Sequence, residues 1–149
     1  MKIGSVSENQ KIEKRISITP EIAKKYISIG FEVHLSKNYG VHLGISDEEF
    51  KNVGVKFSDN ENEVINLSDI IVQLGLLSEE KCSLIKEDKT LVGVLNPYDN
   101  EERLDKLKQK KVNLFSLELL PRITRAQSMD ILSSQANLAG YKAVIESFA

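Results

Sequence analysis

The sequence of 149 residues lacks several features that would indicate particular classes of protein. A single cysteine, Cys82, excludes an internal disulfide and a cysteine-based zinc site, and it fits a reducing compartment. No apolar run reaches 18 residues, and no apolar stretch near Met1 is typical of a secretory signal. The net charge of −2 gives no support to nucleic-acid binding. The two histidines, His34 and His42, have no companion ligands in the pattern, so no metal site is predicted.

What is present is typical of a folded domain. Hydrophobic residues make up 41% of the chain and charged residues 28%, which is ordinary for a globular protein. The length suffices for one substantial core. No linker, repeat or low-complexity stretch interrupts the sequence, so we predict a single domain over residues 1–149.

Short apolar runs alternate with helical stretches along the chain. Strands joined through helices need crossover connections, which favour parallel pairing. The fold class is therefore predicted as α/β, a doubly wound and mostly parallel sheet with flanking helices, Rossmann-like or flavodoxin-like. Thr19 and Ser46 are predicted helix caps, with Pro20 as a first helical residue. The predicted strands are 2–6, 31–35, 55–57, 69–74, 90–95 and 112–117.

The segment 121–137 differs in chemistry from the rest of the chain. It contains two arginines, an aspartate and many amide and hydroxyl side chains. Arginine offers a forked set of donors, and glutamine matches a carboxamide, so a ligand site is one interpretation. The other is structural: Thr124 and Gln127 fit a capping box, and Ser133 can cap the last helix. The residues alone leave both open.

The last helix is predicted to have an apolar face. Leu138, Tyr141, Ile145 and Phe148 fall on one side of it. The small residues Ala139, Gly140 and Ala143 would allow close packing there.

The segment from Pro121 to Glu146 closely resembles the signature of the nucleotide-binding alpha subunit of proton-translocating NAD(P) transhydrogenases, a family related to alanine dehydrogenases. Fainter similarity begins at Met1. It includes Glu8, Arg15, the helix start Ile18-Thr19-Pro20, and the stretches Gly30-Phe31-Glu32-Val33 and Ile45-Ser46-Asp47. The resemblance covers essentially the whole chain and identifies it as the N-terminal domain of that family.

The resemblance implies a function and a set of site residues. The activity would be hydride transfer between NADH and NADP⁺, and this chain would supply the nicotinamide-orienting side of the NAD(H) cleft. Gln127 and Asp130 would orient the nicotinamide carboxamide, and Ser133 would hydrogen-bond the same region. Arg122 would lie near the pyrophosphate or the ribose. Such catalysis depends on positioning rather than on a protein acid or base.

The resemblance also implies partners. They would be the remainder of the alpha subunit, an NADP(H)-binding beta subunit and a second copy in a homodimer, without nucleic acid or direct membrane insertion. The location would be cytoplasmic, peripheral to the inner membrane through partner subunits. No Gly-x-Gly-x-x-Gly fingerprint follows a strand in this chain. We therefore expect the first domain only, inactive as an isolated chain.

Two alternatives remain. Alanine dehydrogenases grip a keto acid with an arginine, a lysine and a histidine. Arg15 matches the arginine and is a substrate-side candidate, but Gln73 and Asn96 stand where the other two would be. Arg15 could instead form a structural ion pair in its loop. The second alternative is a non-catalytic assembly domain whose last helix buries its apolar face in a dimer or in another chain.

Overall fold

A computed structural model describes residues 1–148 as a six-stranded sheet with helices on both faces. The strand order is β3-β2-β1-β4-β5-β6, and every pairing is parallel. This is the doubly wound order of Rossmann folds, so the predicted fold class is confirmed. The strands are β1 (Lys2–Ser5), β2 (Glu32–Ser36), β3 (Lys56–Ser58), β4 (Ile70–Gly75), β5 (Thr90–Val94) and β6 (Asn113–Ser116).

Local capping signals define where several helices begin. The Thr19 side chain accepts from the backbone N–H of Ile22, and Pro20 opens the helix, as predicted. Ser46 and Glu49 form a reciprocal capping box. The helices are α1 (Pro20–Ser28), α2 (Asp47–Asn52), α3 (Glu61–Leu67), α4 (Glu79–Ser83), α5 (Glu101–Gln109) and α6 (Ile131–Ser147).

Two hydrophobic cores lie on opposite faces of the sheet. One packs α1 and α2 against β1 and β2, with Phe50 and Leu35 fully buried. The other packs α3, α4 and α5 against β4 and β5, with Ile65 and Leu91 fully buried. The alternation within β4 serves both, because Ile71 joins the second core while its neighbours join the first.

Close backbone packing holds the centre of the sheet. A Cβ at Gly4 on β1 would lie 1.8 Å from the Ser68 hydroxyl oxygen, which follows α3. Ser68 is fully buried and donates to the Val64 carbonyl. Glycine at this position therefore allows the end of α3 to lie directly on β1.

The last helix, α6, stands apart from both cores. None of its described residues is buried, and Leu138, Tyr141, Ile145 and Phe148 are all exposed, Phe148 to 88%. The expected packing face is therefore not packed against this domain. Apolar residues surround the helix rather than forming one stripe, and such a helix is typical of a buried setting. Within residues 1–148, no helix is both long and apolar enough to cross a membrane.

Candidate functional site

The carboxyl ends of β1 and β4 are adjacent, and the chain winds away from them in opposite directions. Ligands of open parallel sheets bind in the crevice at such a switch point. In this protein the loop 6–19 follows β1, and side chains of the domain itself fill the crevice.

Gln73 at the end of β4 is the centre of that filling, and it is 2% exposed. Its side-chain oxygen accepts from the Ser5 hydroxyl at 2.7 Å and from the Val6 N–H at 2.9 Å. Its amide nitrogen donates to the Val6 carbonyl and to the Glu8 carboxylate, each at 3.2 Å. These four contacts use the full hydrogen-bonding capacity of a glutamine side chain. Gln73 therefore ties β1 to β4 and has no capacity left for a ligand.

The Tyr39 hydroxyl completes the network. It lies 2.8 Å from both the Ser5 and the Ser17 hydroxyls, and it accepts from the N–H groups of Ser17 and Ile18. Tyr39 is 1% exposed, and burial raises the pKa of its phenol. It therefore stays neutral and fixes the end of the loop 6–19 against the sheet.

Glu8 closes the outer side of the crevice. One carboxylate oxygen accepts from the backbone N–H of Leu74 at 2.7 Å and of Gly75 at 3.4 Å. Burial raises the pKa of Glu8, and these backbone donors oppose that rise. The carboxylate thus contributes to holding the loop on β4.

The three positions matched to the keto-acid grip of alanine dehydrogenases are occupied differently. Gln73 is fully engaged within the chain. Asn96 adopts a left-handed backbone conformation, and its N–H donates to the Glu118 carboxylate at 2.6 Å. Arg15 pairs with Glu13 at 2.6 Å, the loop ion pair considered from the sequence. Arg15 also reaches α6, where its Nη1 donates to the Gln135 side-chain oxygen at 2.7 Å.

The four residues predicted to contact the cofactor lie around one depression. Arg122, Gln127, Asp130 and Ser133 line a cavity of about 360 Å³ together with Ile123, Thr124 and Ala126. A 3-10 helix at Thr124–Met129 and the start of α6 shape it. Buried Ala126 anchors this segment to the domain, while Gln127 beside it is exposed.

Helix capping at this site differs from the expectation. The Thr124 side chain caps nothing, because residues 124–129 form a 3-10 helix in which the cap position falls to Ile123. Ser133 does not cap α6 either. Asp130 is the N-cap: one of its carboxylate oxygens accepts from the Ser133 N–H at 3.0 Å and the other from the Ser133 hydroxyl at 2.6 Å. Ser133 is the third helical residue, whose N–H is a donor that an N-cap satisfies.

The electrostatics of the depression follow from these contacts. The Ser133 hydroxyl and N–H lower the pKa of Asp130, and the positive charge of Arg122 adds to that effect. Asp130 is therefore an ionised acceptor. Within residues 1–148, neither Arg122 nor Gln127 uses its side chain in an internal hydrogen bond or ion pair. Two strong donor groups thus remain available to a bound molecule.

The histidines lie in separate places. His34 is buried in β2, and burial lowers its pKa. His42 lies beside the Lys14 carbonyl at 2.7 Å. In the described part of the chain, no three side chains of the metal-binding types are grouped for an ion.

Sequence reasoning missed the crevice network. Ser5, Ser17 and Tyr39 lie far apart in the chain, and no local pattern links them to Gln73. Glu118 was also missed. It follows β6, and one of its oxygens is buried without a partner among residues 1–148. A polar residue directly after an apolar strand is the signal that could have drawn attention to it.

Comparisons with known proteins agree with the geometry. The family model for the alanine dehydrogenase/PNT N-terminal domain matches residues 4–139. The chain is 43% identical to a split NAD(P) transhydrogenase subunit alpha of Rickettsia prowazekii, over 98% of this chain and 39% of that protein. It is 35% identical to NAD(P) transhydrogenase subunit alpha of Haemophilus influenzae, over 98% of this chain and 28% of that protein.

Solved structures give the same picture. The crystal structure of transhydrogenase from Sinorhizobium meliloti superposes with a TM-score of 0.90 at 34% identity, covering 98% of this chain and 43% of that one. An L-alanine dehydrogenase structure superposes with a TM-score of 0.74 over 79% of this chain, and its 18% identity supports the fold alone. The chain spans less than half the length of each of these relatives.

Proposed function

Because the chain belongs to the alanine dehydrogenase/PNT N-terminal domain family, we propose that it works as one side of the NAD(H) cleft in an NAD(P) transhydrogenase alpha subunit. The observation that carries the proposal is the depression lined by Arg122, Gln127, Asp130 and Ser133. Its donors and acceptors face outward, whereas those of the switch-point crevice are consumed within the domain.

The chemistry of the four side chains fits the nicotinamide end of a dinucleotide. The exposed Gln127 amide can both donate to and accept from a carboxamide. The ionised Asp130 can accept from the carboxamide nitrogen, and the Ser133 oxygen keeps lone pairs for the same group. The Arg122 guanidinium suits a pyrophosphate or ribose oxygen. The residues present therefore fit the group.

These side chains would act by orientation. NADH supplies the hydride, and the reacting carbon needs no acid or base from the protein. Gln127 and Asp130 would fix the rotation of the carboxamide and hence of the ring. Positioning of this kind can supply a large part of a rate enhancement.

The proposal extends to partners. The downstream region of the alpha subunit would hold the pyrophosphate, and a beta subunit would present NADP(H). The full assembly would be a homodimer of alpha subunits, translocating protons at the cytoplasmic side of the inner membrane through its partner subunits. The relatives named as transhydrogenase alpha subunits support this assignment.

A second function is favoured by α6. Its exposed apolar residues, among them Leu138, Tyr141 and Phe148, would suit a non-catalytic assembly domain that buries this helix in another chain. Light scattering separates the two functions when combined with nucleotide binding. An assembly domain would form a stable oligomer and show no NADH affinity even with the downstream domain supplied.

Titration of NADH by fluorescence tests the proposal. The chain should bind NADH weakly alone, and binding should appear when the downstream domain of the Rickettsia prowazekii relative is added. Gln127→Asn, which withdraws the amide by one methylene, should weaken that binding about 3- to 10-fold, the equivalent of one lost hydrogen bond.

The matched control is Gln109→Asn, the same change at an exposed position on α5. It should leave NADH affinity unchanged. The proposal fails if the added domain brings no gain in binding, or if the two glutamine variants bind NADH equally.

A further inference from the structure

The loop 6–19 and α6 meet at a polar contact that the sequence pattern does not reveal. Arg15 Nη1 donates to the side-chain oxygen of Gln135 at 2.7 Å, across 120 positions of the chain. Gln135 lies in the second turn of α6, five positions after Asp130 and two after Ser133. The contact thus joins the loop that closes the crevice to the helix that begins at the depression.

Glu13 fixes the direction of the Arg15 guanidinium. Arg15 Nε donates to one Glu13 carboxylate oxygen at 2.9 Å, and Nη2 donates to the other at 2.6 Å. The Arg15 backbone N–H donates to the first oxygen as well. A planar guanidinium held by a two-point contact on one edge has its remaining nitrogen aimed in a set direction. Here that nitrogen is Nη1, and it points to Gln135.

The pair remains charged under ordinary conditions. The hydrogen bonds from Arg15 lower the pKa of Glu13 to about 2. The carboxylate is therefore ionised across the range in which the protein works. The orientation of the guanidinium does not change within that range.

Little else fixes α6 to the domain. None of its described residues is buried, so hydrophobic packing contributes little to its position. A helix without a packed face opens and shifts more readily than one in a core. A directed hydrogen bond near its first turns therefore has an unusually large share in setting its position.

We infer that Arg15 is a positioning residue: oriented by Glu13, it holds the first two turns of α6 in place through Gln135. Asp130 and Ser133 lie at the start of that helix, so Arg15 sets where their side chains are presented. Arg15 acts here through the helix and not by gripping a carboxylate substrate. The mechanical role stands by itself, and the consequence for NADH rests on the proposed function.

Amide hydrogen exchange on the chain without nucleotide tests the mechanical role. Arg15→Ala and Gln135→Ala should each speed exchange at residues 134–138 by roughly 3- to 10-fold, the effect of losing one hydrogen bond. The double variant should exchange no faster than either single one, because both remove the same contact. The matched control is Lys14→Ala, beside Arg15 in the same loop, which should exchange like the parent chain.

A charge-assisted replacement provides the rescue. Gln135→Glu keeps an acceptor for Arg15 and should restore protection relative to Gln135→Ala. In an Arg15→Ala background the same replacement should restore nothing. Additive single effects, or α6 exchange unchanged in both alanine variants, would overturn the inference.

NADH titration with the downstream domain present tests the functional consequence. Arg15→Ala should weaken NADH binding about 3-fold or more, and Gln135→Glu should bind like the parent. Faster α6 exchange with unaltered NADH affinity would overturn the link from Arg15 to the cofactor side. A failure of the proposed function looks different: Gln127→Asn would then be silent too, while exchange still reports on the Arg15 contact.

Discussion

The protein contains two polar clusters built from the same kinds of residue, and their surroundings differ. In the crevice between β1 and β4, Gln73 is 2% exposed and makes four hydrogen bonds. In the depression beside α6, Gln127 is exposed, and its amide makes no hydrogen bond within residues 1–148. A glutamine whose bonding capacity is consumed inside the domain stabilises the fold. A glutamine whose capacity faces outward is available to a ligand.

The largest effect is expected from removing the amide in each cluster by a replacement of similar shape. Gln73→Met leaves Ser5, Val6 and Glu8 without their partner in a buried place, and each orphaned group has a cost. The free energy of unfolding should fall by roughly 2–4 kcal/mol. Urea denaturation followed by circular dichroism measures it.

Gln127→Met is the matched control for that measurement. Because this side chain is exposed, stability should change by less than about 0.5 kcal/mol. Its NADH affinity in the presence of the downstream domain should fall. Equal stability losses in the two variants would abolish the distinction between the clusters.

A smaller effect is expected at the tyrosines. Tyr39→Phe removes one hydroxyl that serves Ser5 and Ser17 together with two backbone N–H groups. Stability should fall by about 1–3 kcal/mol. Tyr141→Phe on exposed α6 is the same chemical change and should leave stability within about 0.5 kcal/mol of the parent. Thermal unfolding of the pair checks both values, and a loss at Tyr141 matching that at Tyr39 contradicts the comparison.

The smallest structural effect is expected at Asp130, where capping and ligand binding coincide. Asparagine caps helices about as well as aspartate, whereas alanine does not. Asp130→Asn should therefore retain the helicity of α6 and still lose NADH affinity, because the ionised acceptor is gone. Asp130→Ala should lose both. Circular dichroism and NADH titration separate the two roles, and an Asp130→Asn variant that binds NADH like the parent would leave Asp130 a capping residue alone.

The fold follows from signals that act over a few residues. The Thr19-Pro20 start of α1 and the box between Ser46 and Glu49 are contacts within one helical turn, so the local sequence contains them completely. Strand alternation is similarly local, and the requirement for crossover connections then gives a parallel sheet. These elements of the structure were therefore predictable.

The crevice network was not predictable, because it depends on contacts across long separations. Gln73 meets Val6 over 67 positions, and nothing near either residue signals the other. The capping of α6 was predicted at the wrong residue, since the 3-10 geometry of 124–129 moves the helix start to Ile131. The four site residues came from the family signature, and the structure places them around one depression. Their roles remain predictions.

The position of β1 has a consequence for synthesis of the chain. Translation delivers β1 first, then its neighbours β2 and β3 on one side, and only afterwards β4 on the other. On the ribosome, one edge of β1 therefore waits with unpaired backbone groups after the β1-β2-β3 half is complete. At ordinary elongation rates that interval is on the order of seconds. During it, the nascent chain presents an open strand edge on which chaperones and mispairing segments can compete.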